Sequence, residues 1–429
     1  MNQIETTTPI TWRRYFDLLR SDYQRQAQSV QILILVAMLA GMFIFAFDSV
    51  REIVAHDHID LDTYVVASSI LRHGGNPYDI DQGQRESDRL HSSHNMPMES
   101  PVGLALFYWP ISNISLAMGG HLWSCINPLI YLLGVLILLK TYCRSAALFA
   151  MGIFISLIHS AFHLSQSLGQ ISPLIFLLMV ATVVAAERSE WVWAALFAAI
   201  ATALKAYPVA LVAGLWWLNR RAFIWGMIFT VIGILGPALL VPHAVYIQSL
   251  QVVASMTHVV DPWAQNQSIA AMWYRLLTQG SFYIGIINSP KLAWLAYRVS
   301  TIIGFAVWLI TSYRGGRRSG AGLLLGYTIV TSLLFSTHAW EHYLAPTLIP
   351  FFALVCCEKG FAKPTPRLLL ATIIATIIIA YPFDYADEVV LAHGILTLLI
   401  SAKMFGMLLL WLLCTIQINR LADATKHTA

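Results

Sequence analysis

The chain has 429 residues, of which 58% are hydrophobic and only 11% are charged. Soluble domains carry about 25% charged residues, so the composition excludes a soluble multidomain enzyme, a disordered chain and a nucleic-acid-binding protein. The net charge of +4 is small, and the placement of the cations is what informs; the chain reads as an integral membrane protein.

A helix needs about 20 apolar residues to cross a hydrocarbon core. The first such run is residues 30–47, which carries no charge, is too long for the apolar region of a signal peptide and is followed by no small-residue cleavage site. Further runs lie near 121–142, 146–164, 171–186, 222–241, 292–313, 321–335, 343–357, 368–381 and 394–416. The 101–117 stretch follows a polar loop and holds Pro110, which suits an interfacial or re-entrant helix. The 191–204 and 206–218 stretches are each roughly 20 Å long at 1.5 Å per residue. Neither crosses comfortably, so they read as a short helical hairpin with Lys205 near its tip. The five cysteines, Cys125, Cys143, Cys356, Cys357 and Cys414, lie in or beside apolar runs and form no disulfide framework or metal pattern.

Lys and Arg in short loops set orientation. With the hairpin returning to its own side and 101–117 not crossing, Arg13, Arg14, Arg20 and Arg25 share one side with Lys140, Arg144, Arg188, Arg220, Arg221, Arg314, Arg317 and Arg318, and with Lys359, Lys363, Arg367, Arg420 and Lys426. That side is the cytoplasm. The opposite, extracytoplasmic face then receives 15 of the 22 acidic residues. The fold expected is an all-α polytopic bundle of about 12 membrane helices, the hairpin arms included, with both termini cytoplasmic. Residues 1–29 form the N-terminal segment, 30–418 one membrane domain with outer loops at 48–100 and 242–290, and 419–429 the tail.

The first outer loop holds Asp57, Asp60 and Asp62, then Gly74-Gly75-Asn76-Pro77-Tyr78-Asp79. Helical spacing places Asp60 and Tyr64 on one face and turns Asp62 elsewhere. A carboxylate held here reads as a general base, or as part of a solvated acidic loop; composition alone does not choose among the three. Lys205 sits inside an apolar stretch, where a lysine is expensive unless it is paired, snorkels or lines a polar cavity. Tyr207-Pro208 after it looks like a helix start, and a lysine beside a helix N-terminus suits a phosphate. Gly169-Gln170, Gln265-Asn266-Gln267-Ser268 before the helix carrying Arg275, and the 336–343 stretch with His338, Trp340, Glu341 and His342 supply amides, an aromatic and two histidines. Such groups suit a sugar or a headgroup, although Trp and Tyr also populate ordinary interfacial belts. His338 and His342 are spaced to share a metal, but only Glu341 accompanies them. No Walker motif or HExxH is present.

Taken together, Asp60-Leu61-Asp62-Thr63-Tyr64 with Gly75-Asn76-Pro77-Tyr78-Asp79, then Gly169-Gln170, Leu204-Lys205-Ala206-Tyr207-Pro208, Asn266-Gln267-Ser268 with Arg275, and Trp340-Glu341-His342 resemble glycosyltransferase family 87 in order and position. The resemblance runs from about residue 30 to 415. It implies a GT-C-like fold and a mannosyltransferase fed by a polyprenyl-phosphate sugar. It also implies Asp60 as the catalytic base and Lys205, Arg275 and His342 as ligands of the donor phosphate. Tyr64, Tyr78, Gln170, Asn266, Gln267, Trp340 and Glu341 are then the candidates for sugar and acceptor. Tyr343 stands where the family often has a second histidine.

The expected function is inverting transfer of a hexose, mannose by the resemblance, to a lipid or glycan acceptor at the extracytoplasmic face of the plasma (inner) membrane, with no cofactor except, at most, a divalent cation. The rival is a transporter or flippase for an anionic lipid-linked substrate, since broken helices serve there too. No inverted repeat is visible, and the polar motifs cluster on one face instead of midway.

Overall fold

The computed structural model describes residues 11–55, 58–94, 97–356, 365–382 and 391–424. Asp57, Cys357, Lys359, Lys363, Lys426 and most of the expected 382–388 outer loop lie outside them. Among the described residues, the only paired strands are the two-residue Gln279–Gly280 and Tyr283–Ile284; nearly everything else is helical. Among the described residues, six helices are long and apolar enough to cross a membrane: Gln28–Ala55, Leu116–Tyr142, Ala146–Leu168, Arg220–Leu239, Pro290–Arg318 and Ala402–Ala424. Shorter apolar helices accompany them: Ser172–Glu187, Trp191–Leu204, Val209–Leu218, Ala321–Phe335, Ala345–Val355 and Pro366–Ala380.

Several expected spans are interrupted. The 146–164 run is two helices, Ala146–Leu157 and Ser160–Leu168, joined at His159. The run from 343 opens with 3-10 turns at Glu341–Tyr343 and Ala345–Thr347 before Leu348–Val355. The last run begins with Gly394–Leu396 and Thr397–Ile400, and its long helix extends to Ala424. In the 101–117 stretch the helix is only Val102–Phe107, six residues. At 1.5 Å each that is about 9 Å, far too short to cross.

Small residues let the hairpin pack. Ala194, Ala195, Ala198, Ala199 and Ala201 are buried along the Trp191–Leu204 arm, as close helix approach between apolar segments requires. A Cβ on Gly233 would come within 2.9 Å of Ala203, and one on Gly226 within 3.0 Å of Val212. Arg220–Leu235 therefore lies tight on both arms. An amphipathic helix, Trp12–Arg25, had no place in the expected spans. It buries Tyr15 and Leu19, and Tyr15 donates to the Leu139 carbonyl at 3.0 Å.

Candidate active site

Asp60 stands in the first turn of the Ile59–Arg72 helix, where the helix dipole favours a carboxylate. The helix start is anchored by buried His58, whose Nδ1 lies 3.0 Å from the Ser167 carbonyl and whose Nε2 lies 2.6 Å from the Ser124 hydroxyl. Its close neighbour is the turn after Ser160–Leu168. Gly169 there has φ +69, and a Cβ on it would meet Leu61 Cβ at 2.6 Å and His58 Cβ at 2.8 Å. Only glycine fits such a left-handed, crowded position.

Gln170 follows, its backbone fixed from both directions. Its N–H donates to Ser165, and its carbonyl accepts from Asn127 Nδ2 at 2.9 Å. Its side chain joins Asp60 and Lys205. Nε2 donates to Asp60 Oδ2 at 2.7 Å, and Oε1 accepts from Lys205 Nζ at 2.7 Å and from the Tyr64 hydroxyl at 3.1 Å. A carboxylate only accepts and an ammonium only donates, so this is the amide orientation that satisfies both. Asp60 and Tyr64 do share a helix face, as their spacing predicts. Asp62 turns away and accepts from Ser92 at 2.7 Å.

Lys205 caps the end of Trp191–Leu204 in an extended conformation, φ −142 and ψ 134, and is only 6% exposed. Its Nζ lies 3.4 Å from the Tyr343 hydroxyl and 4.8 Å from that ring's centroid, close enough for a cation–π contact. Tyr343 in turn stacks on Tyr207 at 4.6 Å and meets His342 edge-on at 4.5 Å. Buried polar atoms almost always have a hydrogen-bond partner. Here both ring nitrogens of His342 and the hydroxyls of Tyr207 and Tyr108 have none, and Tyr108 stacks on Tyr64 at 5.2 Å. The cluster holds spare hydrogen-bonding capacity beside a cation and a carboxylate.

Burial raises the Asp60 carboxyl above its ordinary range, opposed by the Lys205 charge, then by the Gln170 hydrogen bond and by His94. Glu99 is raised too, first by burial and then by Asp261 and Asp60. Burial lowers His338 below the usual histidine range. Perturbed carboxyls such as Asp60 and Glu99 are found at acid–base sites.

Other expected residues have hydrogen-bond partners of their own. Arg275 is 1% exposed. Its Nη1 donates to the carbonyls of Pro262, Trp263 and Asn266, and its Nη2 to Ser401. The guanidinium ties a loop together, and its buried Nε has no partner. Asn266 spends its amide on the Asp261 and Thr337 carbonyls and on the Ser268 and Ala339 N–H groups. Gln267 spends its own on Ala264, Ile400 and Met404. These bonds, with Gln267 N–H to Ala339 and Glu341 N–H to Gln265, zip the 265–268 stretch onto the 337–341 stretch. The Tyr78 hydroxyl donates to the Ser100 carbonyl, and Glu341 pairs with buried Lys403. Trp340 tilts against His338 at 5.8 Å, while His342 faces Tyr343. Among the described residues, no three His, Cys, Asp or Glu side chains gather as a metal site.

Sequence reasoning gave no site role to Tyr108, Asn127, Glu99 or Lys403, and none to Tyr207 and Tyr343 although both stood in or beside the quoted motifs. Lys403 and Asn127 did carry a signal, being polar residues inside apolar runs, the same signal that exposed Lys205. The aromatic residues carried none that an interfacial belt would not.

No curated protein and no solved structure matches the chain. The family model for glycosyltransferase family 87 matches residues 100–337, more than half of the sequence. The matched stretch takes in Gln170 and Lys205 and stops short of Asp60 on one side and His342 on the other. It favours an enzyme over a transporter. With several helices able to span a bilayer and a model match of this extent, the chain belongs to glycosyltransferase family 87 and is a membrane glycosyltransferase.

Proposed function

We propose that the enzyme transfers a hexose, mannose in the first instance, from a polyprenyl-phosphate sugar to a lipid or glycan acceptor, with inversion, in a GT-C-like bundle whose catalytic face is extracytoplasmic on the plasma membrane. The observation that carries the reading is the Asp60–Gln170–Lys205 chain, which holds a base and a cation at one amide's length. The acceptor hydroxyl gives its proton to Asp60. Gln170 occupies Oδ2, which leaves Oδ1 to receive it. The acceptor oxygen attacks the anomeric carbon as the bond from that carbon to the phosphate oxygen breaks. The electron pair departs on the polyprenyl phosphate, whose new negative charge faces the Lys205 ammonium, with His342 Nε2 or Nδ1 and the Tyr207 hydroxyl as further donors. Preorganised charge of this kind is often the largest contribution to catalysis.

An apolar groove of about 450 Å³ supports a polyprenyl donor. It is lined by Leu106, Ala203, Leu204, Ile232, Pro237 and Leu240, so it ends one residue from Lys205. An isoprenoid lying there would deliver its phosphate to the ammonium. The clustering of acidic residues on the face of Asp60, with the cationic loops opposite, supports the extracytoplasmic assignment.

The test is incubation of the purified chain with radiolabelled polyprenyl-phosphate mannose and membrane lipid extracts. Labelled product with inverted anomeric configuration is expected. Asp60→Asn should keep donor binding and lose transfer by about 10²–10⁴-fold, the usual span of general-base catalysis. Transfer at the parental rate by that variant would remove Asp60 from the mechanism.

A further inference from the structure

The Lys205 ammonium donates to side chains on two separate elements. Gln170 follows the Ser160–Leu168 helix, and Tyr343 ends the Glu341–Tyr343 turn. The place of the ammonium therefore depends on how far apart that helix and that turn are held. The Ser165 hydroxyl reaches the His342 carbonyl only at 3.4 Å, and it lies 2.6 Å from the Ala161 carbonyl. A hydroxyl has one proton to give, and the shorter contact takes it.

Lys403 is the firmer tie. It stands in the first turn of the Ala402–Ala424 helix and is 2% exposed. Its ammonium pairs with the Glu341 carboxylate and donates to the Ser160 hydroxyl at 2.6 Å. One cation thus joins the first residue of the turn to the first residue of the helix. Each element then runs on to a partner of Lys205, the turn to Tyr343 and the helix to Gln170. Packing does not replace this tie, because a cavity of about 570 Å³ borders it, and Ser160, Glu341, Ala402 and Lys403 all line that cavity. Side chains that face a void lack neighbouring atoms on that side, so the polar contacts set the spacing. A buried ion pair is weak evidence for stability, since the cost of taking both charges from water offsets much of their attraction. What it adds is geometry, because charge-assisted bonds are short and directed.

We propose that Lys403 and Glu341 are positioning residues for the transfer reaction: their ion pair, anchored on Ser160, fixes the gap between Gln170 and Tyr343 and with it the place of the Lys205 ammonium. The inference rests on Lys205 being the cation that meets the donor phosphate. Both residues act through Lys205 and not by contact with substrate.

The experiment uses the full chain in nanodiscs and the double variant Glu341→Leu with Lys403→Met. It removes both charges together, so neither is left buried alone, and apolar replacement of a buried pair is often neutral for stability. Three quantities are read: Tm, kcat on polyprenyl-phosphate mannose, and the Ki of farnesyl phosphate, which carries the leaving phosphate without the sugar. The Tm should stay near the parental value, while kcat falls and Ki rises by about tenfold each, the effect of some 1.4 kcal/mol. Ki is read on folded protein, so it reports the position of the cation apart from stability. Lys403→Arg keeps the charge and has the cavity to take its extra bulk, so it should retain nearly the parental kcat and Ki. Parental kcat and Ki in the double variant, a lowered Tm with an unchanged Ki, or a loss in Lys403→Arg as large as in the double variant would each overturn the proposal. Lys205→Met separates the two readings. Undiminished transfer by it overturns the phosphate reading and the proposal with it, whereas crippled transfer by it beside a fully active double variant overturns the positioning role alone.

Discussion

Asp60 and Lys205 hold opposite ends of the same side chain. The Gln170 amide donates to the carboxylate at 2.7 Å and accepts from the ammonium at 2.7 Å. Each charged group is thereby fixed by a neutral one that cannot move without releasing both.

Gln170→Leu keeps the volume and removes both bonds. Hydrogen bonds to charged groups contribute about 1.5–3 kcal/mol each, so kcat should fall at least about tenfold. Gln170→Glu should do worse, because a second carboxylate beside Asp60 drives its proton affinity up and captures Lys205. Steady-state kinetics of the two variants on polyprenyl-phosphate mannose check this ordering.

Burial holds the Asp60 pKa above the ordinary carboxylate value and Lys205 pulls it down. A base must be ionised, so transfer should fall as pH drops through this raised pKa, with a midpoint above the usual aspartate value of about 3.9. Lys205→Met removes the lowering charge and should move the acid limb to still higher pH. A pH profile of kcat/KM reads both midpoints; identical limbs would show that the lysine does not act on the carboxyl.

Gly236 borders the apolar groove, and a Cβ there meets nothing within 4 Å. Its φ of −52 suits any residue. Gly236→Phe therefore folds and blocks the groove. The donor KM should rise by about tenfold or more, while a short-chain donor analogue is affected less. Comparison of long and short isoprenoid donors measures it.

Arg275→Met leaves the Pro262 and Asn266 carbonyls and the Ser401 hydroxyl without their donor, while the Trp263 carbonyl keeps the Asn266 N–H. Unsatisfied buried groups cost about 1–3 kcal/mol each, so thermal unfolding in detergent should begin well below that of the parent. Folded variant should bind donor with nearly the parental KM. A phosphate ligand would show the contrary pattern, an unchanged Tm with a weakened donor.

Much of this was legible in the residues themselves. The spacing of Asp60 and Tyr64 placed them on one helix face, and both reach Gln170. Lys205 betrayed itself by its cost in an apolar run. Single-residue chemistry did not separate Gln170, which serves the site, from Asn266 and Gln267, which serve the backbone. All three are amides beside turns, and only the tertiary fold decides which carbonyls lie within reach. Arg275 poses the same difficulty. Its charge suggested a phosphate, but a ring of main-chain oxygens had already enclosed it. Helix interruptions at His159 and after Tyr343 were hidden because apolar composition continues through them.

The gap at Gly169 has a reach of its own. With Leu61 Cβ and His58 Cβ standing where a methyl would project, the Ile59–Arg72 helix rests directly on bare backbone, one residue before the amide that meets its carboxylate. The span between the Asp60 carboxylate and the Lys205 ammonium is thus gauged by an atom the chain omits. Any side chain at this position would act as a shim, lifting the base away from its partner while every reacting residue stayed chemically intact.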